Sequence, residues 1–161
     1  MATETSRLDA IEAVYRARAA DFFRVALATT RDVERAHDAV QEGFARAIRH
    51  RDGFRGSGSL EAWICRCVLN AARDERSELS PGLTLGDEPS PLAALDEPDE
   101  TVRNAIFELP LRQREALFLR YYLDFDYAQI ADVLGVRVGT VSATLHAARA
   151  ALEQALTEVA Q

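Results

Sequence analysis

Residues 126–156, DYAQIADVLGVRVGTVSATLHAARAALEQAL, decide the fold. Tyr127, Ile130, Ala131 and Leu134 share one face of a short helix, and Gly135 follows where that helix must stop and the chain must turn. Beyond the turn, Val138, Val141, Leu145, Ala148, Leu152 and Leu156 return every three or four residues. A longer second helix therefore also carries a single apolar stripe. Small Ala131 lies where two steeply crossing helices come close, and Leu134-Gly135-Val136 is the length of turn such a pair needs. The stretch reads as a helix-turn-helix, whose second helix enters the DNA major groove. An ordinary helical hairpin, with Gly135 no more than a C-cap, is the competing reading.

Around this unit, 161 residues leave room for one ordinary domain or two small ones with modest cores. A hydrophobic content of 48% with regular spacing predicts a folded chain. No apolar run approaches the roughly 20 residues that span a bilayer, and the polar start MATETSR lacks the apolar core of a signal peptide, so the expected location is the cytoplasm. Cys65 and Cys67 lie two apart on a predicted helix, where their side chains diverge and cannot pair; they read as packing residues.

The formal charge of −7 opposes a nucleic-acid role until it is mapped. Residues 1–78 carry 13 Arg and 13 acids, and residues 102–161 carry 6 Arg and 7 acids. Residues 79–101, LSPGLTLGDEPSPLAALDEPDET, carry six acids, no Arg and four of the five prolines. This middle stretch has no helical period and reads as an acidic, extended linker. It is a solvated spacer in the simplest reading; in sharper ones its charge enters a basic nucleic-acid channel of a partner or shields this chain's own DNA face.

Upstream, three helices are expected. Leu8, Ile11, Tyr15, Ala19, Phe22 and Ala26 form the inward stripe of the first, which Thr29-Thr30 ends; the second starts near Asp32 with Val33, Ala36, Val40, Phe44 and Ile48 inward. Its outward positions include Asp38, Gln41, Glu42, Arg46 and Arg49, which periodicity alone reads as a solvated face. The Gly- and Ser-rich run RDGFRGSGSLEAW (51–63) is a loop whose Ser59 can cap the third helix, with Leu60, Ile64, Cys67, Val68 and Ala71 inward. Phe54 is either a loop anchor in the core or, with Arg55, a stacking platform for an unpaired base. Asn70, Arg73, Asp74 and Arg76 follow, able to reach bases and phosphates or simply solvent.

Two sets of motifs carry a family resemblance. DAVQEGFARAI (38–48), FRGSGSLEAW (54–63), Asn70 and Asp74 resemble region two of bacterial RNA polymerase sigma factors of the extracytoplasmic-function group. LPLRQREALFLRY (109–121), YAQIADVLG and GTV resemble region four of the same group. The resemblance implies that Asp38, Gln41, Glu42 and Arg46 dock on the clamp coiled coil of the polymerase β′ subunit. It implies that Phe54, Arg55, Gly56, Ser59, Trp63, Asn70 and Asp74 help melt the minus-ten element and hold an extruded base. Extrusion costs a few kcal/mol, so a pocket that accepts only the turned-out base can both drive opening and read sequence. It further implies that the helix-turn-helix reads the minus-thirty-five element and meets the β flap, that the linker follows the RNA exit path, and that an anti-sigma protein is a possible partner.

The chain departs from the family pattern where Ser142, Thr144 and Ala147 stand at customarily basic positions, and Arg76 is followed by Ser77, Glu78 and Leu79. Each lost phosphate contact lowers the salt slope of DNA binding by about 0.9. Arg137, Thr140, Ser142, Thr144, His146 and Arg149 are left to meet the duplex, and all 19 basic residues are Arg. His146 is otherwise an exposed helical polar residue. His37 and His50 have no ligand-spaced neighbours, and no phosphate loop, nucleophile elbow or paired-carboxylate motif is present; Asp124 and Asp126 read as caps. The expectation is an all-α transcription initiation factor without cofactor, metal or enzyme activity. A three-helix domain over 5–78 and a four-helix helix-turn-helix domain over 102–158 flank the linker over 79–101. The alternatives are a degenerate sigma-like protein that binds polymerase or a regulatory partner without reading promoters alone, and a stand-alone repressor.

Overall fold

The computed structural model describes residues 2–77 and 99–161, the side chains from Ser6 to Arg76 and from Asp99 onward. Among the described residues there are seven α-helices, α1 (Ala2–Thr30), α2 (Val33–Arg49), α3 (Leu60–Ser77), α4 (Glu100–Glu108), α5 (Leu111–Tyr121), α6 (Tyr127–Leu134) and α7 (Val138–Val159), with a 3₁₀ turn at Arg51–Gly53. No strand occurs among the described residues. Residues 79–98 of the expected linker lie outside them. Asp99 caps α4 by accepting a hydrogen bond from the Thr101 N–H at 2.8 Å, so Asp99–Thr101, read as linker, belong to the start of that helix.

The first three helices pack on one another, and α4 to α7 form a second group. Gly43 sets the α2/α3 spacing. A Cβ placed there lies 2.4 Å from the Cα of Val68, so only hydrogen fits between the two backbones. In the second group the capping box of α6 is complete: Asp126 accepts from the Gln129 N–H at 2.8 Å and the Gln129 side chain accepts from the Asp126 N–H at 2.9 Å. Gly135 ends α6 at φ 67°, and the Val136 N–H returns to the Ala131 carbonyl at 3.1 Å. The expected helix-turn-helix is therefore present in its own residues.

The two groups are docked through α1 against α5 and α3 against α6, and their apolar side chains form one connected cluster from Ile11 and Phe22 to Leu145 and Ala148. Most residues expected inside are there, among them Ala36, Phe44, Ile64, Val68, Ile130 and Val141. Leu8, Tyr15, Val33, Ile48 and Val138 are instead exposed. Val33 and Val138 open their helices, before the neighbouring helix is met. Leu8 and Tyr15 lie on a 29-residue α1 whose stripe outruns the 17 residues of α2, although Tyr15 still meets the Phe44 ring edge-on at 5.0 Å. Cys65 is buried and Cys67 half-buried, and burial pushes both thiols above their ordinary range.

Arginines satisfy the carbonyls that helix ends leave without intrahelical donors. At the end of α1, Arg114 Nε donates to the Ala28 carbonyl and Arg76 to that of Thr29 at 3.1 Å. Arg114 also donates to Phe107 at 3.1 Å and Leu109 at 2.8 Å, closing α4. Arg18 reaches Leu123 at 2.8 Å just past α5, Arg35 reaches Glu75 at 2.9 Å near the end of α3, and Arg112 reaches Leu134 at 3.2 Å at the end of α6. A guanidinium holds five donors in a rigid, spread fork and can reach carbonyls at two separate ends, where the donors of a lysine all sit on one nitrogen.

Gly43→Ala tests the α2/α3 contact. Alanine gains about 1 kcal/mol in helix propensity, but overpacking against immovable backbone costs about 3 kcal/mol. The urea midpoint is expected to fall by the equivalent of roughly 2 kcal/mol; an unchanged or higher midpoint contradicts the close approach.

Candidate polymerase and nucleic-acid interface

The outer face of α2 presents Asp38 and Gln41 to solvent, with Glu42 and Arg46 half-buried beside them. Glu42 accepts from Arg46 Nε at 3.0 Å and from Arg49 Nη2 at 2.9 Å, and Arg46 Nη2 lies 2.9 Å from Asp74 Oδ2 on α3. Hydrogen bonds from Arg46 and then Arg49 hold the Glu42 carboxyl below its ordinary range; those with Glu42 and then Asp74 raise Arg46. Arg46 thus joins a residue expected to meet polymerase to one expected to meet the melted strand.

The loop between α2 and α3 turns at Gly56 and Gly58, both with positive φ, and Ser59 Oγ accepts from the Ala62 N–H at 3.3 Å, so the expected cap is formed. Phe54 is half-buried against Trp63, ring centroids 5.6 Å apart, while Arg7 lies over its ring and donates to its carbonyl. It anchors the loop by these contacts; Arg55 and Gly56 remain exposed. A cleft of about 440 Å³ opens beside it, lined by Ser57, Gly58, Ser59, Trp63 and Arg66 and bounded by Asp132 of α6.

Further along α3, Asn70 is exposed, Asp74 is held by Arg46, and Arg76 is held by the Thr29 carbonyl. Arg73 Nη2 lies 3.2 Å from Glu115 Oε2, so its guanidinium points into the joint between the two helix groups. Glu115 and Arg114 are the functional candidates that motif reading missed: both are buried. Their signal was register, because Glu115 stands four residues after Leu111 and three before Phe118, on the apolar side of α5.

In the helix-turn-helix, Arg137, Thr140, Ser142 and His146 are exposed along the first turns of α7. Thr144 Oγ1 donates to the Thr140 carbonyl at 2.7 Å, and Arg149 Nε to the Tyr121 hydroxyl at 3.2 Å. The hydrogen bond with Tyr121 raises the Arg149 pKa above its ordinary value. Among the described residues no cluster of three or more His, Cys, Asp or Glu could hold a metal.

Residues 14–80 match the family model for sigma-70 region 2, and residues 99–152 match that for sigma-70 region 4. The RNA polymerase sigma-H factor of Pseudomonas aeruginosa is 33% identical over 144 residues, 78% of this chain and 75% of that one. The ECF RNA polymerase sigma factor EcfG of Rhodopseudomonas palustris is 32% identical over 163 residues, 96% of this chain and 86% of that one. The chain belongs to the ECF group of the sigma-70 family. Two solved structures share the fold of this one: CnrH, in complex with the cytosolic domain of CnrY, with a TM-score of 0.74 at 21% identity over 96% of this chain and 95% of that one, and the sigma factor RpoE of Bartonella quintana, in complex with the anti-sigma factor NepR, with a TM-score of 0.72 at 22% identity over 92% of this chain and 97% of that one.

Asp126 carries half of the reciprocal cap that starts this sigma factor's helix-turn-helix. Asp126→Ala is expected to cost about 1 kcal/mol of stability, read by thermal unfolding; no loss means that the capping box contributes nothing to the unit.

Proposed function

We propose that this ECF sigma factor docks on polymerase core through the α2 face of Asp38, Gln41, Glu42 and Arg46 and opens promoters with the loop and outer face of α3. Its family role is promoter-directed transcription initiation, with polymerase core and promoter DNA as partners. One observation carries the reading: both sigma regions match within one chain and in order, so core docking and promoter contact are coupled in a single polypeptide. The cleft beside Trp63, with Ser59 and Arg66 on its wall, supplies an aromatic face, a hydroxyl and a cation, the set that stacks and neutralises an unpaired nucleotide.

On the duplex, Arg137 and Arg149 supply the charge of α7, with Thr140, Ser142, Thr144 and His146 between them. Such a sparse set makes the minus-thirty-five contact strongly dependent on core bringing the helix to the groove. Work of this kind is binding rather than bond chemistry, so no cofactor is invoked. The cytoplasm, where polymerase and DNA meet, is the proposed location; no helix among the described residues is long and apolar enough to cross a membrane. The CnrY and NepR complexes of the structural neighbours support an anti-sigma partner here as well.

Run-off transcription with purified core on genomic promoter fragments is the direct test, and specific transcripts dependent on this chain are the expected result. Failure to bind core at all rejects the proposal. The double substitution Asp38→Ala with Gln41→Ala is expected to weaken core binding about tenfold, a loss of about 1.4 kcal/mol, while the unfolding midpoint stays unchanged because both side chains face solvent. Unaltered core affinity moves the docking face elsewhere.

A further inference from the structure

Arg31 is the residue after α1 and has φ 58°, its backbone N–H returning to the Leu27 carbonyl at 2.9 Å. Glycine is the usual occupant of such a helix end, because a side chain is disfavoured in the left-handed region. An arginine kept there calls for a use of its side chain. The guanidinium lies over the Phe107 ring, 5.9 Å from the centroid, yet among the described residues it makes no hydrogen bond or ion pair, and its Nε is shut off from solvent.

Two further guanidiniums converge on the same place. Arg114 lies against the same ring, 5.6 Å from its centroid, and Arg76 bonds the Thr29 carbonyl next to the Ala28 carbonyl that Arg114 takes. Arg114 spends Nε and Nη1 on carbonyls and Arg76 spends Nη1, so Nη2 of each is left for another acceptor. Among the described residues no carboxylate is ion-paired with any of the three. Glu115, the buried carboxylate nearby, accepts from Thr29 and faces Arg73 and Arg112 instead. Burial, then Arg31 and Arg76, draw the Arg114 pKa down to about 10, as close cations with too little negative charge among them must. Planar guanidinium forks pair bidentately with phosphate oxygens, and three of them suit a multivalent oxyanion. Arg114 is only 2% exposed, so that anion must be compact; the backbone of a duplex cannot follow it inward.

We propose that Arg31, Arg76 and Arg114 form a binding site for a phosphate or pyrophosphate group between the end of α1, α3 and α5. Arg31 is the residue dedicated to it, since the other two also close helix ends. The inference goes beyond the sigma role and takes only Arg76 from the residues expected at the melted strand.

Three full-length proteins test it: wild type, Arg31→Gly and Arg16→Ala, each titrated with sodium pyrophosphate at constant ionic strength and followed by calorimetry and thermal unfolding. Arg16 is exposed on α1, about 20 Å along the helix from Arg31, and its loss changes the net charge equally. Wild type should gain about 4 °C in Tm with pyrophosphate near ten times its Kd. Arg31→Gly should bind about tenfold more weakly, while its Tm without the anion stays level or rises, because glycine is at ease at this φ. Arg16→Ala should bind as wild type does. No binding by wild type, normal binding by Arg31→Gly, or an equal loss in Arg16→Ala overturns the site. An anion-free Tm that falls in Arg31→Gly assigns Arg31 to packing on Phe107 and overturns its dedication to the anion. Single-stranded and duplex oligonucleotides form the last arm, and Arg31→Gly should leave their affinities unchanged. If these fall as well, the three arginines serve the DNA backbone and the compact-anion site is wrong.

Discussion

Burying Arg114 and Glu115 side by side is the most demanding feature of this fold, and the relation between its two helix groups depends on it. Removing such ions from water costs several kcal/mol each, and leaving one without its partner costs about 3–5 kcal/mol. Here neither is left so. Arg114 donates to three carbonyls at the ends of α1 and α4, and Glu115 accepts from a hydroxyl and lies against guanidiniums. Desolvation, with Arg31 and Arg76 nearby, lowers the Arg114 pKa to about 10, which still leaves it charged at neutral pH. The carbonyls it takes are those a helix end cannot satisfy alone, so the same contact finishes two helices and positions α5 against α1.

The choice of arginine throughout follows from that requirement. All 19 basic residues are Arg, and at least five of them bond carbonyls at or just beyond helix termini. A basic residue counted as a candidate for phosphate is therefore often engaged in structure first. Arg76 at Thr29 and Arg73 at Glu115 are cases on the very face assigned to the melted strand. Electrostatics of this chain cannot be read as a sum of charges. The negative total is concentrated between residues 79 and 101, while the cations at the joint are committed to neighbours of their own.

Much of each helix was legible in sequence because its signals are local. The Asp126 and Gln129 cap, the Gly135 stop and the stripe of Val141, Leu145 and Ala148 each depend on residues within one or two turns. Ser59 was recognisable as a cap for the same reason. The exposed Leu8, Tyr15 and Ile48 were not, since a stripe shows which side of a helix is apolar but not how far its neighbour extends along it. Glu115 was hidden by a related ambiguity: a carboxylate in an apolar register is either a solvent-facing interruption or a buried ion with distant partners, 86 residues away in the case of Thr29.

Sequence by itself determined the all-helical class, the helix-turn-helix and the two sigma regions, because periodicity, caps and motif order are properties of neighbouring residues along one chain. Tertiary structure alone decided that the two helix groups close on each other, that Arg73 turns toward Glu115, and that Asp132 borders the cleft beside Trp63. These are encounters between side chains far apart in the chain. Their geometry depends on where whole helices come to rest, and that is set by the satisfaction of buried charges and helix ends at the joint.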